Sequence, residues 1–164
     1  MFENTFDVVF NLVKKWKPKK LYRKEEQYRN DLYEYLRKNL KEAETDVFGF
    51  GTKQYVIQKE AGRHLADIGI NEKIGIELKT NFKKQSQKDR LVGQIKRFLR
   101  SYSHVIVVLC GDVDMGKVDE LRSDLKDYKS SFGAFEEPKI VKIICKTKSE
   151  TKKRKKEESI WSLF

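Results

Sequence analysis

The chain has 164 residues, of which 38% are hydrophobic and 37% charged, and its formal net charge is +11. This length suits one domain with a real core, and the patterned apolar segments argue against disorder. Cys110 and Cys145 both lie in apolar runs, which argues against a disulfide framework or a zinc site. The excess of positive charge favours a polyanionic partner, for which nucleic acid is the first candidate and an anionic membrane surface the second. The alternative is that the lysines only keep the surface of the protein soluble.

The sequence also bears on location. Its apolar stretches are shorter than a membrane span, and the N-terminal segment lacks the charged start and small-residue cleavage site of a signal peptide. We therefore expect a cytoplasmic protein that makes no use of a membrane.

Hydrophobic periodicity predicts the secondary structure in chain order. Apolar residues at helical spacing predict helices over 2–16 and 23–40, separated by Pro18. Alternating patterns predict strands in DVFGFG and KQYVIQK, and a hairpin over HLADIGINEKIGIELK. A helix over 86–102, the buried strand HVIVVLCG, a helix around 118–128 and a strand from Lys139 follow.

The order α-α-β-β-β-α-β-α-β indicates an α/β fold. We expect a mixed sheet with a hairpin portion and a crossover portion, covered by helices, in a single domain over 1–147. Residues 148–164 form a basic tail, which could contact phosphates or serve only solubility.

The predicted hairpin contains charged residues where a core is expected. In IGIELK the aliphatic side chains share one face of the strand, and Glu77 and Lys79 share the other. Because the apolar faces of the two strands must coincide, a short turn over 71–73 pairs Ile70 with Ile74. Counting outward from that pair sets Asp67 opposite Glu77.

Two opposed carboxylates need a neutralising group, because their Cβ atoms lie about 5 Å apart and like charges there are destabilising. Lys79 offsets part of the charge, and Mg²⁺, which binds through one or two carboxylates and several waters, would offset it better. Gly69 and Gly75 would leave this face uncrowded for a metal and a substrate. The alternative is an exposed sheet face that carries a salt-bridged Asp-Glu-Lys cluster.

The segment over 23–111 resembles the PD-(D/E)XK nuclease superfamily. Asp67, preceded by Ala66 where proline is usual, and Glu77-Leu78-Lys79 on the next strand are similar to that family's motif. The resemblance implies a restriction-endonuclease-like α-β-β-β-α-β core, here with an extra N-terminal helix and a C-terminal α-β addition.

The following helix is similar to the Gln-containing motif of the RecB-like and junction-resolvase-like branch. Gln94 would supply the glutamine, and Phe98, where tyrosine is usual, is explained by core packing along the helix stripe. A surface glutamine is the alternative for Gln94.

The family usually adds a glutamate from the first core helix, and Glu25 and Glu26 both qualify. Glu25 shares the apolar stripe of that helix, whereas Glu26 points about 100° away, so we favour Glu25. Both could instead be ordinary first-turn acids favoured by the helix dipole. Glu60 and His64 could also enter the site, or lie on the surface.

The resemblance implies hydrolysis of DNA phosphodiesters that depends on Mg²⁺ or Mn²⁺. The implied metal ligands are Asp67, Glu77, Glu25 and the carbonyl of Leu78. Lys79 would orient the activated water, with its pKa lowered by the metal. Gln94 would position the water or the substrate.

Basic residues that follow the hairpin are well placed to contact a DNA backbone, with salt-dependent and largely sequence-independent affinity. The predicted contacts are Lys83, Lys84, Lys88, Arg90 and Arg97, with Lys96 and Arg100 nearby. Some of these residues must be solvent-facing helix charges, so the prediction concerns the patch.

The chain therefore suggests a stand-alone endonuclease, and simultaneous cutting of both strands would favour a homodimer. One alternative is a non-catalytic nucleic-acid-binding protein on a nuclease-like fold. Another is a protein-interaction adaptor, which would show no salt-dependent binding of DNA.

Overall fold

The computed structural model describes residues 4–43, 54–59, 65–129 and 139–148. Its helices are α1 (Thr5–Lys15), α2 (Glu25–Ala43), α3 (Gln85–Ser101) and α4 (Met115–Lys129). Its strands are β1 (Ile57–Lys59), β2 (Ile68–Ile70), β3 (Ile74–Thr80), β4 (His104–Gly111) and β5 (Ile140–Thr147). The predicted strand in DVFGFG, Glu60, His64 and the tail beyond 148 lie outside the described residues.

The five strands form one mixed sheet in the order β1-β2-β3-β4-β5. Strands β1, β2 and β3 are antiparallel neighbours, whereas β3, β4 and β5 run parallel. Parallel neighbours need crossover connections, and α3 and α4 lie in the segments that join them. The mixed α/β class is confirmed, and the helices and strands of the described residues follow one another in the predicted order.

Two apolar layers lie on opposite faces of the sheet. One joins α1 and α2 to the sheet and includes Val9, Leu32 and Ile76, and the other joins α3 and α4 to it and includes Leu91 and Leu121. The stripe predicted for α3 is buried along its length, and Phe98 is part of that core. Helix periodicity therefore identified the faces that pack on the sheet.

A buried carboxylate ties the α1–α2 connection to α2. Asp31 is 7% exposed and accepts hydrogen bonds from the backbone N–H of Lys19 at 2.8 Å and the hydroxyl of Tyr22 at 2.9 Å. Burial, together with the hydrogen bond to Asp31 and its charge, raises the pKa of Tyr22 to about 12. These bonds hold the chain just before the first turn of α2, where Glu25 lies.

The hairpin has the predicted register. Ile70 pairs with Ile74, and the ladder continues to the pair of Ile68 with Ile76. Asn71 and Glu72 in the turn have φ of 51° and 55°, in the left-handed region. The Asn71 side chain also accepts a hydrogen bond from the N–H of Val56 at 2.7 Å, which joins the turn to the segment entering β1.

The prediction that Gly75 leaves its face open is wrong. A Cβ built on Gly75 would lie 2.7 Å from Cδ2 of Tyr102 and 3.1 Å from Cβ of Ala66. The glycine therefore makes room for an aromatic ring at the end of α3, and that ring packs the helix on the hairpin.

Both cysteines are free, and Cys110 is buried while Cys145 is half-buried. In the described part of the chain, no helix has the length and apolar character needed to cross a membrane.

We predict that Gly75→Ala lowers the free energy of unfolding by about 1–3 kcal/mol, because the new methyl group overpacks against Tyr102 and Ala66. Gly93→Ala in α3 is the matched control, since a Cβ there meets no atom within 4 Å. Alanine at an open helical position should raise stability by about 0.5–1 kcal/mol. Urea unfolding followed by circular dichroism measures both, and equal stability of Gly75→Ala and the wild-type chain would contradict the packing.

Candidate active site

The ammonium group of Lys79 lies between two carboxylates that come from distant parts of the chain. Its Nζ is 2.6 Å from Oε1 of Glu77 and 3.3 Å from Oε1 of Glu25. Glu77 and Lys79 alternate with the aliphatic residues of β3 that pack under α1 and α2, whereas Glu25 is in the first turn of α2. One lysine therefore links β3 to α2.

Asp67 and Glu77 each use a carboxylate oxygen to bind the opposite strand's backbone. Oδ2 of Asp67 accepts the N–H of Leu78 at 2.8 Å, and the N–H of Asp67 donates to Oε2 of Glu77 at 3.3 Å. Asp67 lies one residue before β2, where continuation of the ladder places it opposite Glu77. Glu77 is only 4% exposed, so the exposed face of the alternative does not fit, although its salt bridge between Lys79 and Glu77 is present.

Gln94 reaches the same carboxylate from α3. Its Nε2 donates to Oε1 of Glu77 at 3.3 Å. Its Oε1 is buried and has no hydrogen-bond partner among the described residues. Buried acceptors are nearly always paired in proteins, so Gln94 brings an unused acceptor to the cluster.

The geometry distinguishes Glu25 from Glu26. Oε2 of Glu25 also accepts the N–H of Thr80 at 3.3 Å, which ties the carboxylate to the end of β3. Glu26 instead lies 3.6 Å from Arg29, and its side chain is 67% exposed. Of the two predicted alternatives, Glu25 is the one that lies with Glu77 and Lys79.

Burial raises the pKa of Glu77 to about 7, and the charge of nearby Asp67 adds to this, while Lys79 acts in the opposite direction. Burial also disfavours the charge on Lys79, but the carboxylates of Glu77 and Glu25 outweigh it and raise the pKa of Lys79. The lowered pKa of Lys79 that the resemblance implies would therefore require a cation beside it.

The oxygen donors of this cluster suit a hard divalent cation such as Mg²⁺. Three carboxylates, those of Glu25, Asp67 and Glu77, face the cationic groups of Lys79 and Arg29. Among the described residues, no three His, Cys, Asp or Glu side chains are arranged as a ready-made metal cage. Mg²⁺ takes only one or two carboxylates and completes its shell with waters, so Asp67 and Glu77 fit this requirement.

Exposed basic residues lie on the same helix as Gln94. Lys84 precedes α3, and Arg90 and Arg97 are exposed along it. Lys83 is exposed as well, but its ammonium forms an ion pair with Asp112.

Lys88 does not fit its predicted role as a phosphate contact. Its side chain is buried, and its Nζ lies 2.8 Å from Asp124, 3.6 Å from Glu120 and 3.8 Å from Asp89. The hydrogen bond to Asp124 and the charges of all three acids raise its pKa despite desolvation. Lys88 therefore joins α3 to α4 and is not part of the exposed basic surface.

Arg29 is a residue of the site that the sequence analysis did not single out. Its Nη1 lies 3.8 Å from Oδ1 of Asp67. An arginine on a charged helix looks like an ordinary surface residue. Its position four residues after Glu25, on the same face of the helix, is the sequence feature that could have indicated its place in the site.

Comparison of the chain with protein-family models, with curated proteins and with solved structures found no match. The geometry of the site must therefore carry any proposal about function.

We predict that Glu77→Gln becomes more stable relative to the wild-type chain as the pH rises from 5 to 8 in buffer with EDTA. The pKa of Glu77 in the folded chain, about 7, is above its ordinary value of 4.5, so the unfolded chain ionises first. The free energy of unfolding of the wild-type chain therefore falls between pH 5 and pH 8, by an amount on the order of 1 kcal/mol or more. Glutamine does not ionise, so the Glu77→Gln variant does not lose this stability. Urea unfolding at both pH values measures the difference, and an unchanged difference would contradict the burial of this carboxyl.

Proposed function

We propose that the chain is a Mg²⁺- or Mn²⁺-dependent nuclease that hydrolyses phosphodiester bonds of DNA as a stand-alone endonuclease. The observation that carries the proposal is the convergence of acid, lysine and amide groups from four separate segments around β3. These groups belong to Glu25, Asp67, Glu77, Lys79 and Gln94. The antiparallel β1–β3 unit beside parallel β4 also suits the restriction-endonuclease-like core that the resemblance implies.

Each group has a role that follows from its position. Asp67 and Glu77 would hold the cation, with Glu25 and the carbonyl of Leu78 as further ligands. When bound, a divalent cation supplies acidity to a water molecule and charge to stabilise the phosphate. Lys79 would orient that water and offset phosphate charge, and Oε1 of Gln94 would accept a hydrogen bond from it.

DNA is favoured as the substrate by the charge of the chain and by the location of its basic residues. The net charge is +11, and the exposed Lys84, Arg90 and Arg97 lie on or beside the helix that carries Gln94. A phosphate backbone along α3 would reach the cluster from that side, with an affinity that falls as salt rises. A homodimer would place two such sites on one duplex.

The second candidate is a nucleic-acid-binding protein without catalysis. It is favoured by the position of the Lys79 ammonium between Glu25 and Glu77. That ammonium could neutralise the carboxylates permanently. The two candidates differ in whether bound DNA is cut.

Supercoiled plasmid incubated with the chain and Mg²⁺ or Mn²⁺ should be nicked or linearised, and EDTA should abolish cleavage. We predict that Glu77→Gln lowers the cleavage rate by about 100-fold, because it removes a metal-holding charge while keeping the side-chain shape. Plasmid that is bound but remains intact under all metal conditions would favour the second candidate. Cleavage that is unchanged in Glu77→Gln would contradict the proposed site.

Adjacent glutamates of α2 provide a matched pair. We predict that Glu25→Gln lowers cleavage by about 10-fold to 100-fold, because its carboxylate binds both Lys79 and the end of β3. Glu26→Gln removes the same charge from an exposed position and should remain within about twofold of the wild-type rate. Equal effects of the two changes would show that only helix charge matters and would remove Glu25 from the site.

A further inference from the structure

The guanidinium group of Arg29 lies beside the candidate active site, where its neighbours among the described residues include two carboxylates at ion-pair distance. Its Nε is buried and has no hydrogen-bond partner in the described segments. Nη1 lies 3.8 Å from Asp67 and Nη2 lies 3.6 Å from Glu26, and both separations are longer than hydrogen bonds. The N–H groups of Arg29 therefore lie near the carboxylates of Asp67 and Glu26 but form no hydrogen bonds with them.

The position of Arg29 connects it to the site and to solvent. Arg29 follows Glu25 by four residues, so both side chains project from one face of α2. Its side chain is 27% exposed, and a ligand that reaches Asp67 would meet it. Arg29 thus approaches the cluster from α2, opposite the side from which Gln94 approaches.

Neutralisation of nearby carboxylates does not account for this geometry. If the only role of Arg29 were to neutralise these carboxylates, we would expect a short ion pair, such as the 2.6 Å distance between Lys79 and Glu77. A buried N–H without a partner costs about 1–3 kcal/mol, so the open arrangement is unfavourable unless a ligand completes it. The planar guanidinium fork matches two oxygens of a phosphate group.

We infer that Arg29 binds a backbone phosphate of DNA at this site through two parallel N–H···O hydrogen bonds. The choice of DNA as the ligand rests on the proposed function, whereas the contact itself requires no bond to be cut. Arg29 and Lys79 would then face the phosphate from α2 and from β3.

The test is equilibrium binding of a fluorescent 20-base-pair DNA duplex in EDTA, measured by anisotropy over a range of salt concentrations. We predict that Arg29→Gln raises Kd by about 10-fold, and that the slope of log Kd against log salt falls by about 0.9. Arg37→Gln is the matched control, because Arg37 is exposed on the same helix and the change removes the same charge. It should remain within about twofold of the wild-type Kd.

Arg29→Lys keeps the charge and removes the planar fork, and it serves also if Arg29→Gln fails to fold. We expect its Kd to stay at least about threefold above that of the wild-type chain. Wild-type affinity in either Arg29 variant, or equal losses in Arg29→Gln and Arg37→Gln, would overturn the inference. Failure of the wild-type chain to bind the duplex would overturn it as well.

These outcomes are separate from those of the cleavage assay. A chain that cuts plasmid, but whose Arg29→Gln variant binds DNA normally, keeps the proposed function and loses this contact. A chain that never cuts, but whose Arg29→Gln variant shows the predicted loss, keeps the phosphate contact and loses the catalytic proposal.

Discussion

The buried carboxylate of Glu77 lies beside that of Asp67 and is paired with the ammonium group of Lys79. The site depends on the balance between the repulsion of the two carboxylates and the attraction of this ammonium. A buried charge is costly unless it is paired, and a second carboxylate raises the cost. Lys79 supplies the countercharge at 2.6 Å, and the backbone N–H of Asp67 supplies a further hydrogen bond. The hairpin register makes this crowding unavoidable, because the apolar faces of β2 and β3 must coincide.

The surrounding fold holds the two helices that complete the cluster. Asp31 fixes the chain that enters α2, so Glu25 begins the helix at a defined place next to Lys79. The ring of Tyr102 fills the space over Gly75 and packs the C-terminal end of α3 on the hairpin. Gln94 lies earlier in the same helix. The scaffold around the clustered charges is packed on both faces of the sheet.

Local patterns were sufficient to predict most of the fold and the hairpin. Alternation in IGIELK fixed the pair of Ile70 with Ile74, and helical spacing identified the buried stripes of α1, α2 and α3. The same alternation was enough to predict that Asp67 lies opposite Glu77. The alternation of side chains along a strand and their spacing along a helix depend only on neighbouring residues, so a single sequence is enough to show them.

The errors concern contacts between residues far apart in the chain. Gly75 looked open because the ring that covers it comes from Tyr102, beyond the whole of α3. Lys88 looked like a surface charge because two of its acidic partners belong to α4. Arg29 was overlooked because its proximity to Asp67 exists only when α2 lies against the hairpin.

The central claim is that Asp67 and Glu77 form a cation site. Crystals soaked in MnCl₂ would test it most directly, because the anomalous signal of manganese locates the ion without reference to activity. We predict an anomalous peak within coordination distance of both carboxylates, since Mg²⁺ and Mn²⁺ prefer oxygen ligands. Manganese bound only elsewhere, with the Lys79 ammonium still seated against Glu77, would contradict it.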